Sequence, residues 1–260
     1  MPSTDRAQQP LTDRRVALVS GAAGGIGQEI CRALADKGFR VFGGDLANAM
    51  QTKRGSSTAA PLQCTPLHLD VTQSALWSAA VSHIEQTAGR LDVLVNNAGV
   101  LSLGDLEQTS VEDWSKILSV NLTGAFLGMR AATPLLRRSR GSVVNISSVV
   151  ALNGNDRMVA YAASKAGLLG LTYATAKDFA RDGVRVNAVC PGTVDTPMST
   201  EFFGSDPQEM SARQRSIAKH PIGRLGFASE VAGAVVYLAS EQAAFITGIA
   251  LPVDGGRSLG

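Results

Sequence analysis

Three side chains within residues 145–165 have the types and spacing to move a proton to or from an alcohol oxygen. Tyr161 and Lys165 stand four residues apart in the helix-favouring run VAYAASK, which places them on one face if that run is helical. Ser148 precedes Tyr161 by thirteen residues, at the end of the apolar, strand-like run SVVNISS. An unperturbed phenol titrates near ~10, too high for a base at neutral pH, and a cation one helical turn away favours the phenolate. A serine hydroxyl beside it can donate to or accept from the same oxygen and steady developing charge. A tyrosine four residues before a lysine is also common by chance, as a surface pair. What surrounds it decides.

The elements that must position these residues begin with RVALVS at 15–20, a β-branched run followed by GAAGGIG at 21–27 and the helical pattern QEICRALADKG, which stops at Gly38. Strand, glycine turn and helix in this order can hold a dinucleotide pyrophosphate. Gly21, Gly25 and Gly27 permit a tight turn, close backbone approach and close helix packing, and the helix N-terminus offers free N–H groups. The second strand, FRVFGGD, ends in Asp45, 24 residues after Gly21, where a carboxylate can bond the adenosine ribose hydroxyls and repel a 2′-phosphate. No Arg or Lys adjoins Asp45 or enters the glycine turn, which favours NAD over NADP; Lys53 and Arg54 are the nearby cations that argue otherwise.

A third strand around TPLHLDV ends at Asp70 and Val71, and a helix follows from Ser74 to Thr87. The run LDVLVNNAG carries a fourth strand into Asn96 and Asn97, whose amides can fix a turn, and into Ala98 and Gly99, small enough to let a ring lie against backbone. Residues 111–139 have apolar spacing for one long helix. Asn121 sits inside it among apolar neighbours, which predicts a backbone irregularity or an ordered water partner. After the serine pair Ser147 and Ser148, a helix is expected from Met158 to Arg181, then a sixth strand, RVNAVCPG, ending in Pro191 and Gly192. Residues 195–221, with Met198, Phe202, Phe203, Met210, Arg213 and Arg215, read as a mobile lid helix or helix pair. A capped helix from Ser229 and a last strand close the chain.

With 260 residues and 45% apolar content, the chain suits one α/β domain at 13–260 behind a flexible tail at 1–12. Its net charge of +2 comes from 24 basic and 22 acidic residues without a basic block, which argues against nucleic acid or anionic lipid as a partner. Cys31, Cys64 and Cys190 form no C-x-x-C pair, and with His68, His83 and His220 they show no zinc spacing, so no metal is expected. Cys190 has no histidine partner and reads as an inert core thiol. The polar opening lacks the apolar core of a signal peptide, and no apolar run is long enough for a membrane span, so a cytoplasmic protein is expected. The N-x-S/T triplets at Asn121 and Asn145 lie in apolar surroundings that predict burial.

Taken together, SGAAGGIG, Asp45, LDV at 69–71, NNAG at 96–99, Asn121, the serine pair, YAASK and PGTVDT at 191–196 resemble the short-chain dehydrogenase/reductase family over residues 13–256. Ser20 stands where the family usually has threonine, and both carry a hydroxyl. The resemblance implies a single Rossmann-type, doubly wound domain, a parallel seven-stranded sheet of order 3-2-1-4-5-6-7 with helices on both faces. It implies that Gly21, Gly25, Ile26 and Gly27 hold the pyrophosphate, Asp45 the ribose, and Asp70 and Val71 the adenine. Asn97, Ala98 and Gly99 then line the cofactor site, Pro191, Gly192 and Thr196 place the nicotinamide ring, and Asn121, Ser148, Tyr161 and Lys165 form a catalytic tetrad in which Tyr161 and Lys165 also contact the cofactor. Ser148 is preferred to Ser147, a supporting neighbour, because family spacing to the tyrosine selects it.

On this resemblance the chain is an NAD-dependent oxidoreductase interconverting a secondary alcohol and a ketone, on a small hydroxy acid, a sugar or sugar acid, or a cyclic alcohol. Arg157, Arg213 or Arg215 could clamp a carboxylate, or be solvated surface residues. The alternatives are an NADP-dependent 3-oxoacyl reductase and a non-catalytic NADH-binding sensor or scaffold. A homo-tetramer is the family expectation, with Ala162, Ala163, Ala166, Gly167 and Gly170 permitting close helix packing.

Overall fold

Short β-branched runs flanked by helical patterns become the strands of one parallel sheet. The computed structural model of the chain describes residues 14–49, 63–203 and 207–259. The strands are β1 (Val16–Ser20), β2 (Arg40–Asp45), β3 (Thr65–His68), β4 (Val93–Asn96), β5 (Ser142–Ile146), β6 (Arg185–Pro191) and β7 (Ala250–Val253). Their order is β3-β2-β1-β4-β5-β6-β7, and every pairing is parallel, as expected. All residues of β1, β4 and β5 are buried, because helices cover both faces.

Alternation along the strands divides the core in two. Ala17, Val19, Val93, Val95 and Val144 face helix α1 (Gly25–Asp36) and the helix Ala228–Ala239, meeting Ile30, Leu34, Val231 and Val235. Leu18, Leu94 and Val143 point the other way, toward Trp77 and Ile84 of α2 (Ser74–Ala88), and toward Met129 and Leu136 of the helix Gly124–Ser139. Trp77 also donates its indole N–H to Val71 O at 3.0 Å, so the largest side chain of this layer is buried without an unpaired donor.

The single helix expected over 111–139 is interrupted. Helix α3 (Val111–Leu118) passes into a π turn (Ser119–Thr123) before α4 (Gly124–Ser139), and the Gly124 N–H bonds the Ser119 carbonyl five residues back. This is the irregularity that a buried Asn121 predicts. Further helices are α5 (Val150–Asn153), α6 (Val159–Phe179), α7 (Pro197–Phe203), α8 (Pro207–Ala218) and α9 (Ala228–Ala239). Helix α6 gives way to a 3₁₀ turn at Ala180–Asp182, and α9 begins one residue before the expected Ser229. The α9 start is tied by the Glu230 carboxylate, which accepts the Phe227 N–H at 2.8 Å, so Ser229 is not its cap.

Among the described residues no helix is long and apolar enough to cross a membrane. The expected tail at 1–12, together with Lys53 and Arg54, lies outside the described residues, as do the side chains of Phe202 and Met210.

Candidate active site

The carboxyl ends of the strands open into a cavity of about 700 Å³, at the point between β1 and β4 where the strand order reverses. Asp45, Leu46, Asp70 and Val71 line it on the β2 and β3 side. It passes the glycine turn and Asn97–Gly99, and ends against Ser148, Tyr161, Lys165, Pro191 and Gly192 on the β5 and β6 side.

At the glycine turn, backbone shape follows from missing side chains. Gly21 has φ +66°, and a Cβ there would sit 2.7 Å from Ala98 Cα, while one on Gly27 would collide with the Gly21 carbonyl. Among the described residues no side chain caps α1, which starts at Gly25 beneath the cavity and keeps its first N–H groups for a ligand. The Asp45 carboxylate braces the turn from β2, accepting the Ala23 N–H and the Leu46 N–H, each at 2.8 Å. Asn97 turns its amide inward and donates to Ser20 O and Gly21 O at 3.0 Å. The Ser20 hydroxyl in turn accepts the N–H groups of Asn97 and Ala98 at 3.1 and 3.2 Å, so the hydroxyl at this position clamps β1 to β4. Asp70 caps its own turn through Thr72, whose N–H and hydroxyl it accepts at 2.9 and 2.7 Å.

A dinucleotide suits these residues. The wall has no Cβ at Gly25, where one would press on Thr196, nor at Gly99, where one would stand 3.3 Å from Lys165 Nζ and 3.4 Å from Asn121 Oδ1. The cavity volume lies within the range of cofactor sites. Asp45 and Asp70 are the charged residues at its β2 and β3 end among the described lining.

At the other end, β5 delivers the serine pair and α6 delivers Tyr161 and Lys165. Ser147 donates its hydroxyl to Lys165 O at 2.9 Å, which pins α6 to the end of β5, and Ser148 Oγ accepts the Val150 N–H at 3.2 Å. Lys165 is only 4% exposed; its ammonium donates to Ile146 O at 2.8 Å and lies 5.8 Å from the centre of the Tyr161 ring. Burial pulls its pKa down to about 8, against a smaller opposing effect of Cys190. Burial pushes the Tyr161 phenol up, and a hydrogen bond with Ser148 pulls it partly back. The lowered phenol expected from the lysine together with oxidised nicotinamide is not reached by the chain alone, where desolvation outweighs the hydroxyl's effect.

Asn121, 1% exposed in the π turn, binds Val100 twice, accepting its N–H at 2.8 Å and donating to its carbonyl at 3.0 Å. It also donates to Ser164 Oγ at 3.0 Å, and Ser164 donates to Tyr161 O at 2.8 Å. Asn121 thus ties the loop after β4 to the turn of α6 that carries Tyr161. A second buried relay runs from Asn96 to Asn145 at 2.8 Å and from Asn145 to Thr172 at 2.9 Å, giving both asparagines structural work. Asn121 and Asn145 are both buried, as their surroundings predict.

Other predicted residues sort plainly. Ile26, Ala98, Thr196 and Met198 line the cavity. Cys190 is buried and its thiol is pushed up to about 11 by desolvation, consistent with an inert core thiol. The three arginines singled out for a carboxylate do not reach the site. Arg157 is exposed in a left-handed backbone conformation with φ 55°, Arg213 is exposed and pairs with Asp195 at 2.9 Å, and Arg215 bonds Ser211 on its own helix. Each points outward because its element presents that position to solvent.

Sequence reasoning missed two residues. Arg257, beyond β7, lines the cavity and donates to Thr193 Oγ1 at 2.8 Å and to Asn155 Oδ1 at 3.2 Å. His220 is buried behind the Pro191–Gly192 turn, with Nε2 accepting the Thr193 N–H at 3.0 Å and Nδ1 2.7 Å from Ser216 O. These partners assign the neutral Nδ1–H form, and burial holds the imidazole below its ordinary pKa. Nothing beside Arg257 in the sequence announces this role; the glycine pair before it marks only a turn. Gly255 and Gly256 both take positive φ, +58° and +85°, and turn the chain back toward the cavity.

Comparison with known proteins agrees with this site. Residues 21–258 match the family model described as Enoyl-(Acyl carrier protein) reductase, and the chain belongs to the short-chain dehydrogenase/reductase family. A 3-alpha-(or 20-beta)-hydroxysteroid dehydrogenase of Mycobacterium tuberculosis is 41% identical over 249 residues, 95% of this chain and 90% of that protein. A trans-4-hydroxycyclohexanecarboxylate dehydrogenase of Sinomonas cyclohexanicum is 38% identical over 253 residues, 95% of this chain and 93% of the relative. The solved ligand-free structure of an aldohexose dehydrogenase from Thermoplasma acidophilum superposes with a TM-score of 0.86 at 38% identity, covering 96% of each chain. The protein is an oxidoreductase of this family, acting on CH–OH groups of small-molecule alcohols or the matching ketones with a nicotinamide dinucleotide.

Proposed function

We propose that the protein is an NAD-dependent dehydrogenase that interconverts a secondary alcohol and a ketone, with Tyr161 as the acid/base, Ser148 and Lys165 as its partners and Asn121 as the fourth member of the site. The observation that carries this reading is the meeting of the Ser148 hydroxyl, the Tyr161 phenol and the buried Lys165 ammonium at the end of the cavity opposite Asp45.

The cofactor, when bound, supplies the hydride acceptor or donor. The chain manages the proton. In oxidation, Tyr161 Oη takes the hydroxyl proton of the substrate as the carbonyl forms; in ketone reduction it returns that proton to the new alkoxide. A phenol pushed up by burial suits the donating role directly. For the accepting role, the positive charge of Lys165 offsets part of the desolvation cost of the phenolate, and oxidised cofactor adds to it. Ser148 shares the substrate oxygen and holds it at the phenol. Asn121 acts by fixing the backbone of Tyr161 through Ser164.

The preference for NAD rests on Asp45 and Asp70. Both carboxylates line the end of the cavity that would receive the adenosine, and a 2′-phosphate there meets like charge. The substrate classes that fit the family and its relatives are small hydroxy acids, sugars or sugar acids, and cyclic alcohols. A panel of these alcohols, followed by absorbance of reduced cofactor with NAD and NADP in parallel, tests the reading. Turnover with NAD at ten or more times the efficiency of NADP is expected. Absence of reduction with every alcohol, or a preference for NADP, would contradict it.

A further inference from the structure

We propose that Arg257 sets substrate specificity by receiving the carboxylate of a hydroxy acid whose carbinol carbon lies at Tyr161. The inference rests on the site proposed above and deepens it.

Four observations carry it. Arg257 and Lys165 are the two cations among the described residues that line the cavity, and Lys165 is turned to Ile146 O and the phenol. Arg257 therefore supplies the positive charge open to a substrate. Second, its guanidinium is half-buried yet bonds neutral oxygens only, Thr193 Oγ1 and Asn155 Oδ1, and no carboxylate of the described residues lies within ion-pair distance. Asp254 and Asp156 act on it from farther off, and the Asp254 oxygens are taken up by the N–H groups of Gly256 and Ser258 at 3.0 and 2.7 Å. Burial lowers its pKa, the mark of a cation whose desolvation is incompletely repaid.

Third, a guanidinium carries five N–H donors, and two bonds leave donors over for a planar anion. Fourth, its partners fix it in place. Thr193 follows the Pro191–Gly192 turn and takes a further bond from Ser216 at 3.0 Å, while Asn155 belongs to the segment between Ser148 and Tyr161 and is also held by Lys219 at 3.1 Å. A preorganised fork thus stands in the same cavity as the proton-transfer groups.

A purely structural brace between the two segments is the competing account, and binding separates the two. The full chain, saturated with NADH, is titrated calorimetrically with cyclohexanecarboxylate and with cyclohexanecarboxamide, which share shape and differ in charge. The wild type is expected to bind the carboxylate about tenfold or more tightly than the amide. Arg257→Gln should abolish that preference while leaving NADH affinity unchanged, and Arg257→Lys should keep part of it. Equal affinity for the two ligands in the wild type, undetectable binding of both, or an equal loss for both in Arg257→Gln overturns the proposal. Because no hydride moves in this experiment, it is decided independently of the alcohol panel.

Discussion

The cavity end lined by Asp45 and Asp70 is built from neighbouring elements, with Asp45 bonding a backbone N–H only 22 residues away across the β1 and β2 ends. The end lined by Thr193 and Arg257 is assembled from segments 64 and 102 residues apart, which meet only when the C-terminal turn folds back. On the proposed reading the first end receives a constant ligand part with backbone shape, and backbone shape is dictated by a few glycines and an acid. On the same reading the second receives a variable part, with side chains borrowed from loops. Neighbouring sequence can encode the former but not the latter.

That contrast explains what was legible. The strand order, the glycine turn, Asp45 and the Tyr161–Lys165 spacing follow from local pattern together with family resemblance. The break at Ser119–Thr123 was legible in outline, since a buried Asn121 in an apolar helix needs partners that a regular helix does not supply; Val100 and Ser164 provide them. Arg257 was not legible. Arg157, Arg213 and Arg215 lie near the catalytic stretch or the lid in sequence, yet only the tertiary fold decides which arginine faces inward.

The largest expected effect breaks the reacting end while sparing the fold. Lys165→Met should cut kcat by ~10³-fold, because the phenolate loses its cation. Its stability should move the other way. Burial pulls the Lys165 ammonium down to about 8 from its ordinary 10.5, so the folded state carries a penalty that is full below pH 8 and is relieved as pH rises toward 10.5. Allowing for the lost bond to Ile146 O, methionine should stabilise the chain by ~2 kcal/mol at pH 7 and less at pH 10, read by urea denaturation. A destabilised variant at pH 7 would argue that the lysine is chiefly structural.

A change of middle size sharpens the adenosine end. Asp45→Ala should lower the kcat/KM ratio of NAD to NADP by about tenfold, but it also removes the acceptor for the Ala23 N–H. Asp45→Asn keeps an acceptor and loses the charge. If charge repulsion governs the choice, both variants relax discrimination; a relaxed alanine variant beside an unchanged asparagine variant would assign the effect to the turn instead.

The smallest effect lies behind the substrate end. His220 must be neutral at Nε2 to accept the Thr193 N–H, and it is flanked by Asp254 and Arg257. Its folded pKa is depressed, so the unfolded chain binds the proton first, and this stabilisation is present above pH ~6.5 and lost as pH falls below it. The wild type should lose more stability than His220→Gln between pH 7 and pH 5.5 in denaturant titrations. Identical pH slopes for the two proteins would remove His220 from the account.

Whether the Tyr161 phenol carries the proton in alcohol oxidation is decided by single-turnover NADH formation in Tyr161→Phe, with NADH binding followed by fluorescence in the same variant. Unchanged NADH affinity and a rate reduced ~10³-fold are expected. A rate within a few-fold of wild type, with affinity intact, would contradict it.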